Sequence, residues 1–408
     1  MNKRIFAWCL FDFANSSYSA VVAAVIYPVY YTNEIVGNES GMGDLWWGWA
    51  ISLSMVLVAI SSPFLGALAD KGSLRKRFLV GYTMVCVCSV AALWMVRPSM
   101  AFAGFLLVIL ANIGMEGGLV FYNAYLPVIA ESGYVGRVSA WGFGIGYAGS
   151  ILSLLLALVM IQAGLMSLVW PMVSLFFLVF AMPAFLLLPH DRVAEERAGV
   201  LSVRASVAGM RKLFVSVWRN SGQRRFLIAY LLFEDGVNTV IVFSSIFAAT
   251  TLHFATQELI GLYILVQVTA LAGAFAMARY IDLFGPKRIV MWALGLWTSV
   301  SVLSFFIYSK PIFFGIAALA GAGLGVIQAA SRALYAMYIP EGREAEHFGI
   351  YSLVGKSSAV LGPAVFGMVS SGFGSQRPAV LAISMFFLGG LAVLKPLPSA
   401  GFSREVNQ

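Results

Sequence analysis

Six ionisable side chains lie inside long apolar stretches of the sequence: Arg332 and Lys356, and the carboxylates Asp12, Glu116, Glu234 and Asp235. Arg332 heads the set. Read as a helix, Gln328, Ser331, Arg332 and Tyr335 fall at i, i+3, i+4 and i+7, which lines all four on one face. An arginine within a hydrocarbon-spanning segment costs about 2.5–3.5 kcal/mol on insertion scales. It should therefore face protein or a water-filled cavity, with an acidic partner or an anionic solute group in reach. Its planar fork suits a carboxylate from either source.

The acids fall on similar stripes. Asp12, Asn15, Ser16 and Ser19 repeat at helical spacing near the N-terminus, and Asn112, Glu116 and Asn123 share a face further on, with Tyr122 beside Asn123. Glu234, Asp235, Asn238 and Thr239 form another group, and Ser352 and Lys356 the last. Neighbours on a helix point about 100° apart, so Glu234 and Asp235 cannot both face one cavity. Asp235 shares the Asp-x-x-Asn spacing of Asp12 and is the better cavity candidate, with Glu234 expected between helices near Lys356. Four acids against two bases leave two carboxylates without a permanent cation. A buried carboxylate in that position takes a proton rather than stay charged, as a proton-coupled carrier requires. Glu116 is the first choice for that role, followed by Asp235 and Glu234. Snorkelling of Asp12, and interhelical hydrogen bonding by Asn112, Ser16 and Ser19, are the plainer readings.

The elements that must position these residues are membrane spans. The chain has 408 residues, 60% hydrophobic and 11% charged, whereas soluble domains carry about a quarter charged residues. Spans of about 20 apolar residues are predicted near 5–31, 45–69, 77–96, 101–126, 139–162, 166–188, 226–251, 259–281, 289–308, 312–338, 348–371 and 378–395. The first follows Met1-Asn-Lys-Arg4 but is too long for a signal peptide and has no small-residue cleavage site. Lysine and arginine crowd into alternate loops, and only Arg97, Lys310 and Arg377 fall on the other side. That bias puts both termini in the cytoplasm, with the inner membrane as the expected location.

The only long polar stretch, 189–225, divides a six-span domain at 1–188 from another at 226–408. Within it Val203, Val207, Met210, Phe214 and Val217 repeat at helical spacing, with Arg204, Arg211, Lys212 and Arg219 off that face. An amphipathic helix on anionic lipid is expected there.

Other chemistries are poorly supported. His190, His253 and His347 lie at span ends or in loops, Cys9, Cys86 and Cys88 lack metal-site spacing, and Gly355-Lys-Ser-Ser358 lacks the leading glycine of a phosphate-binding loop. No enzyme activity, metal or cofactor is expected. The net charge of +8 resides in loops beside spans, so no nucleic-acid partner is expected either.

The two halves match at a steady offset. Asp70 in Gly66-Ala-Leu-Ala-Asp70 pairs with Asp282 at 212, and Tyr122-Asn-Ala-Tyr-Leu-Pro127 pairs with Tyr335-Ala-Met-Tyr-Ile-Pro340 at 213. Ser139, Gly142 and Gly149 pair with Ser352, Gly355 and Gly362 at 213, and Asp12 and Asn15 with Asp235 and Asn238 at 223. A duplicated six-span unit is the pattern of a carrier whose halves rock about a midplane site. The chain resembles the major facilitator superfamily: an all-α membrane protein of twelve helices in two pseudo-symmetric bundles. Gly66-x-x-x-Asp70 with Arg75, Lys76 and Arg77 looks like its signature loop motif, and Asp282, Gly285, Lys287 and Arg288 like the second copy. Ser73 stands where that motif has a glycine, and Ala278 replaces the leading glycine of the second copy. The resemblance implies a gating role for this loop, to which Lys356 is added.

A narrower resemblance is to the vacuole-effluxer-like branch, the fungal autophagy-related amino-acid effluxers and their bacterial relatives. It rests on Phe11-Asp-Phe-Ala-Asn-Ser16, Phe121-Tyr-Asn-Ala-Tyr-Leu-Pro127, Asp235-Gly-Val-Asn-Thr239, Gln328-Ala-Ala-Ser-Arg332 and Phe348-Gly-Ile-Tyr351. It implies a secondary transporter; with the unpaired carboxylates, the reading is a proton-coupled carrier, expected as a monomer, for a small zwitterionic solute such as an amino acid. Arg332 would meet the solute carboxylate, and Asp12 or Asp235 its amine. Two alternatives stand beside it. Phe11, Phe13, Tyr18, Tyr122 and Phe233 would suit an amphipathic drug-like or lipid-like cargo; a non-transporting sensor or assembly factor would be a different class.

Overall fold

The computed structural model describes residues 2–37, 42–189, 212–254, 256–358 and 361–397. Among the described residues every regular element is helical, and twelve helices are long and apolar enough to cross a membrane. In chain order they are α1 (Lys3–Val36), α2 (Met42–Gly72), α3 (Arg75–Met95), α4 (Ala101–Ile129), α5 (Val135–Gln162) and α6 (Met166–Leu187). The second set is α7 (Ser221–Ser244), α8 (Gly261–Phe284), α9 (Pro286–Phe305), α10 (Lys310–Ala336), α11 (Glu344–Phe373) and α12 (Gln376–Leu394). The chain is a multi-pass membrane protein, because hydrocarbon leaves a helix as the simplest way to satisfy every backbone N–H and C=O. All twelve expected spans are present.

Among the described residues one span departs from plain α-helix over whole turns. α1 is wound as π-helix over Tyr18–Val25 and again over Tyr31–Val36. It therefore continues past the predicted end near residue 31, carrying Thr32, Asn33 and Glu34 inside the helix. α11 is helical over Glu344–Ser357 and over Leu361–Phe373, and residues 359–360 lie outside the described residues.

The chain forms two compact units. Unit 1 is Met1–Ile129, Ile145–Met210 and Pro340–Leu353; unit 2 is Ala130–Gly144, Arg211–Ile339 and Val354–Gln408. They follow the sequence halves with one exchange: the start of α5 belongs to unit 2, and the start of α11 to unit 1.

Close helix contacts rest on small residues, which let backbones approach where lipid supplies no hydrophobic drive. In unit 1 a Cβ at Gly114 would strike the Cys86 backbone of α3, and one at Gly149 the Phe13 carbonyl of α1. In unit 2 Gly321 and Gly325 of α10 sit against α8, where added Cβ atoms would strike Thr269 and the Ala270 carbonyl. That contact fixes the rotation of α10, and with it the direction of the Arg332 stripe.

Residues 212–219 are helical, with Leu213 and Val217 buried and Phe214 exposed. The pattern that put Phe214 on one apolar face with Val217 is thus rotated towards Leu213, because the buried side is set by packing on the unit. The rest of that pattern, at Val203, Val207 and Met210, lies outside the described residues.

Candidate functional site

Arg332 is 3% exposed and held on two sides by the part of α5 that belongs to unit 2. Its Nε donates to Ser139 Oγ at 3.0 Å and its Nη2 to the Ser139 carbonyl at 2.8 Å. The guanidinium carbon lies 3.9 Å from the centre of the Phe143 ring, a cation–π distance. Ser139 Oγ in turn donates to the Ala329 carbonyl at 2.8 Å. The guanidinium is therefore fixed in plane, the pre-organisation a two-pronged anion site requires.

The rest of the stripe divides its tasks. Gln328 Nε2 donates to Glu234 Oε1 at 3.0 Å, and Lys356 is near enough to Glu234 to add an electrostatic attraction. Tyr335 is fully buried and stacked on Phe226 at 5.4 Å. Ser331 is buried, and its hydroxyl has no hydrogen-bond partner among the described residues. An orphan buried hydroxyl is a place where water or solute can be accommodated.

Asp235 takes another direction. Its Oδ2 accepts from the Leu361 amide at 3.1 Å and its Oδ1 from the Gly362 amide at 2.9 Å. Both oxygens thus serve the second helical stretch of α11. Asn238 Nδ2 donates to Ser358 Oγ at 3.3 Å, on the same seam. Glu234 thus meets Gln328 of the α10 stripe and lies near Lys356, while Asp235 meets two backbone amides of α11, a contact that spacing did not suggest. Spacing alone could not separate two adjacent carboxylates; their contacts do, Gln328 meeting Glu234 and the Leu361 and Gly362 amides meeting Asp235.

In unit 1 Asp12 is 6% exposed, with Asn15 Nδ2 donating to its Oδ1 at 3.3 Å. Gly146 of α5 lies against it, and Ser16 Oγ donates to the Asp12 carbonyl at 2.7 Å. Tyr122 is fully buried, stacked on Trp8 at 4.5 Å and Phe11 at 5.0 Å. Its ring is a packing element of α1 and α4. Asn123 and Glu116 on α4 are half-buried. Asn112 Nδ2 donates to Ser54 Oγ at 2.7 Å, and Tyr18 donates to its Oδ1 at 3.3 Å, so Asn112 ties α1, α2 and α4 together.

The duplicated loop residues act at helix N-termini. Asp70 accepts from the amides of Ala345 at 3.1 Å and Glu346 at 2.9 Å, at the start of α11. Asp282 accepts from the amides of Gly136 at 2.8 Å and Arg137 at 3.1 Å, at the start of α5. A carboxylate there meets unsatisfied N–H groups and the positive end of the helix dipole. Arg75 bridges Asp70, at 2.6 Å, and Glu344. A Cβ at Gly66 would strike the Ala345 carbonyl, so this glycine is needed for the approach. Lys76 Nζ donates to the Leu188 carbonyl at 2.9 Å, and Lys287 Nζ to the Lys395 carbonyl at 2.9 Å, each closing the end of the last helix of its half. Arg288 is exposed. Gly285 has φ +82°, and Ser73, at the same place in the first copy, has φ +53°.

Residues 49–400 match the family described as "Vacuole effluxer Atg22 like". The chain belongs to this family. An uncharacterised MFS-type transporter of Bacillus subtilis, YxiO, is 26% identical over the whole of this chain and 97% of its own length. Autophagy-related protein 22 of Pichia angusta is 24% identical over 85% of this chain and 73% of its own. Among solved structures, the human organic anion transporter MFSD10 superposes with a TM-score of 0.79 at 18% identity, covering 97% of this chain and all of that one. The Escherichia coli fucose:proton symporter FucP gives 0.73 at 13% identity, over 96% and 98%. At these identities the structures establish the fold, that of the major facilitator superfamily. Family and fold together make this a secondary transporter, with transporters and not enzymes as its named relatives.

Sequence reasoning passed over Ser139 and Phe143 as partners of Arg332, and Glu344 as the second carboxylate on Arg75. Ser139 does appear in the repeat, paired with Ser352, but the repeat marks a shared position without saying what is bound there. Glu344 is an acid in a first helical turn, a signal available from capping rules alone.

Proposed function

We propose that this protein moves a small zwitterionic solute, such as an amino acid, in exchange for or together with protons. The observation that carries the proposal is Arg332, buried yet fixed in plane by Ser139 and Phe143. A cation held this way inside a span is costly unless it is used, and a solute carboxylate fits its fork. Asp12 is the candidate for the solute amine, since both Asp235 oxygens bind backbone. Glu116 and Glu234 are the candidates for proton transfer; Glu234 shares its bond with Gln328 of the same stripe. We read it as a monomer of the plasma membrane; the lysine and arginine bias of its loops supports cytoplasmic termini.

The amphipathic-cargo alternative has less behind it, with half-buried Phe13, stacked on Phe176, as the ring it would still draw on. Phe11, Tyr18, Tyr122 and Phe233 are at most 1% exposed, spent on packing within the helix bundles. A thermal-shift screen of the purified protein against amino acids, peptides and amphiphiles tests the proposal. Stabilisation by zwitterionic solutes that disappears in Arg332→Lys supports it; stabilisation by amphiphiles alone overturns it.

A further inference from the structure

The helix over 212–219 has two apolar sides. Leu213 and Val217, one turn apart, are 1% and 3% exposed and turn inward on unit 2. Phe214, Val215 and Trp218 fall at i, i+1 and i+4, a single stripe of the helix, and are 39%, 43% and 62% exposed. The uncovered apolar face is therefore this stripe, and not the side shared by Phe214 and Val217 that spacing suggested. Its level is fixed by the chain. Asn220 Oδ1 accepts from the Gly222 and Gln223 amides at 3.0 and 3.1 Å as the N-cap of α7, so the apolar span starts where the short helix stops. Aromatic side chains at the end of a span belong at the headgroup level of a bilayer, which leaves lipid as the cover for Trp218.

Cations gather at the same end of unit 2. Lys212, Arg219 and Arg288 are exposed, and Arg224, Arg225 and Lys287 half-buried. Among the described residues none of the six is paired with a carboxylate. Arg224 Nη1 donates to the Trp218 carbonyl at 2.9 Å, which ties the end of the short helix to α7. Arg225 Nη1 donates to the Pro396 carbonyl at 3.1 Å, and Lys287 Nζ to the Lys395 carbonyl at 2.9 Å and to that of Leu397. Arg225 and Lys287 therefore meet at one turn, just after α12, from the starts of α7 and α9. Carbonyl partners hold these side chains in place without neutralising them, and each guanidinium keeps N–H donors to spare.

We propose that the helix over 212–219 and the 395–397 turn form a site for an anionic phospholipid of the adjoining leaflet. Its phosphate meets the unneutralised cations at the start of α7, and its acyl chains lie along Phe214, Val215 and Trp218. A zwitterionic headgroup brings its own ammonium beside the phosphate and gains little here, whereas a net anionic one brings the phosphate alone. Basic clusters beside spans recognise lipid headgroups in this way. The proposal goes beyond solute binding and stands whatever the cargo.

Titration of the full-length protein in neutral detergent with dioleoyl phosphatidylglycerol or dioleoyl phosphatidylcholine, read by native mass spectrometry, tests this. The first phosphatidylglycerol should bind about tenfold more tightly than the first phosphatidylcholine. Arg225→Gln with Lys287→Gln should weaken phosphatidylglycerol by about fivefold for each cation removed, with phosphatidylcholine unchanged. Trp218→Ser should weaken both lipids. Lys3→Gln with Arg4→Gln, which removes two exposed cations from the start of α1, should weaken neither. Equal affinity for the two lipids overturns the proposal, and so does an equal loss in the Lys3 and Arg4 variant, which would reduce the site to diffuse surface charge. Inorganic phosphate should not displace bound phosphatidylglycerol; complete displacement would assign the cations to a free anion and overturn the lipid site. Should the Arg225 and Lys287 variant not fold, Lys212→Gln with Arg219→Gln, at two exposed positions, makes the same comparison.

Discussion

Asp70 accepts the Glu346 amide at 2.9 Å while receiving Arg75 Nε at 2.6 Å, so one carboxylate serves a helix N-terminus and a cation together. Its side chain is 4% exposed and that of Arg75 is 11% exposed. Asp70→Asn keeps the shape but leaves Arg75 with Glu344 as its remaining carboxylate here. Breaking a buried pair costs about 3–5 kcal/mol, and the surviving Glu344 contact places this variant at the lower end. Asp282→Asn should cost less, about 1 kcal/mol, because Arg137 is 29% exposed and 3.6 Å away. Thermal unfolding of both variants in the same detergent checks the order; equal losses would contradict it.

Ser73 and Gly285 occupy matching turns with positive φ, +53° and +82°. A side chain in the left-handed region costs about 1–2 kcal/mol, partly offset by the greater freedom glycine has when unfolded. Ser73→Gly should therefore stabilise the protein by up to about 1 kcal/mol, seen as a raised midpoint of thermal unfolding. The reverse change, Gly285→Ser, should lower it.

Much of this fold was legible because spans are written in the chain as long apolar runs, and because duplication repeats Asp70 as Asp282 and Ser139 as Ser352. The direction of each side chain was less so. Asp235 and Glu234 are adjacent, and which one meets Gln328 of the α10 stripe depends on how α7 is turned towards α10 and α11, a tertiary fact that spacing does not carry. Tyr122 read as a site residue from its motif, yet its ring fills the space between Trp8 and Phe11. Motifs shared across repeats can mark packing as readily as chemistry, and burial decides between them.

Gly325 carries α10 past α8 so closely that a Cβ would strike the Ala270 carbonyl. Gly325→Val should cost about 1–3 kcal/mol from overpacking and turn the Arg332 stripe out of register. Transport should fall further than stability does. Gly315→Val on the same helix, where an added Cβ meets nothing within 4 Å, is the control and should change neither.

Glu116 is half-buried on α4 and is the first candidate for proton transfer. Glu116→Gln keeps the size and hydrogen-bonding shape but cannot release a proton. In proteoliposomes, net uptake should lose its pH dependence while solute exchange continues. Loss of exchange with pH dependence retained would assign the proton to another carboxylate, Glu234 first.

Arg332 makes the sharpest demand on geometry. Its Nε and Nη2 both reach Ser139, at 3.0 and 2.8 Å, and its plane lies over Phe143. Lysine keeps the charge but has neither the fork nor a planar face, so Arg332→Lys is not conservative here. Losing one two-pronged, charge-assisted contact to a solute corresponds to about 1.5–3 kcal/mol, a fall of roughly ten- to a hundredfold in transport efficiency. Ser139→Ala separates holding from binding: it removes the hydroxyl partner of Nε and leaves the carbonyl partner of Nη2 in place. The guanidinium then keeps its charge and its fork but loses part of its alignment. Ser139→Ala should therefore weaken transport by a smaller factor than Arg332→Lys, with unfolding temperature little changed. Uptake at a range of solute concentrations, for both variants beside the parent protein, measures this. A normal rate in Arg332→Lys would show that charge alone suffices and that the fork does not hold the solute.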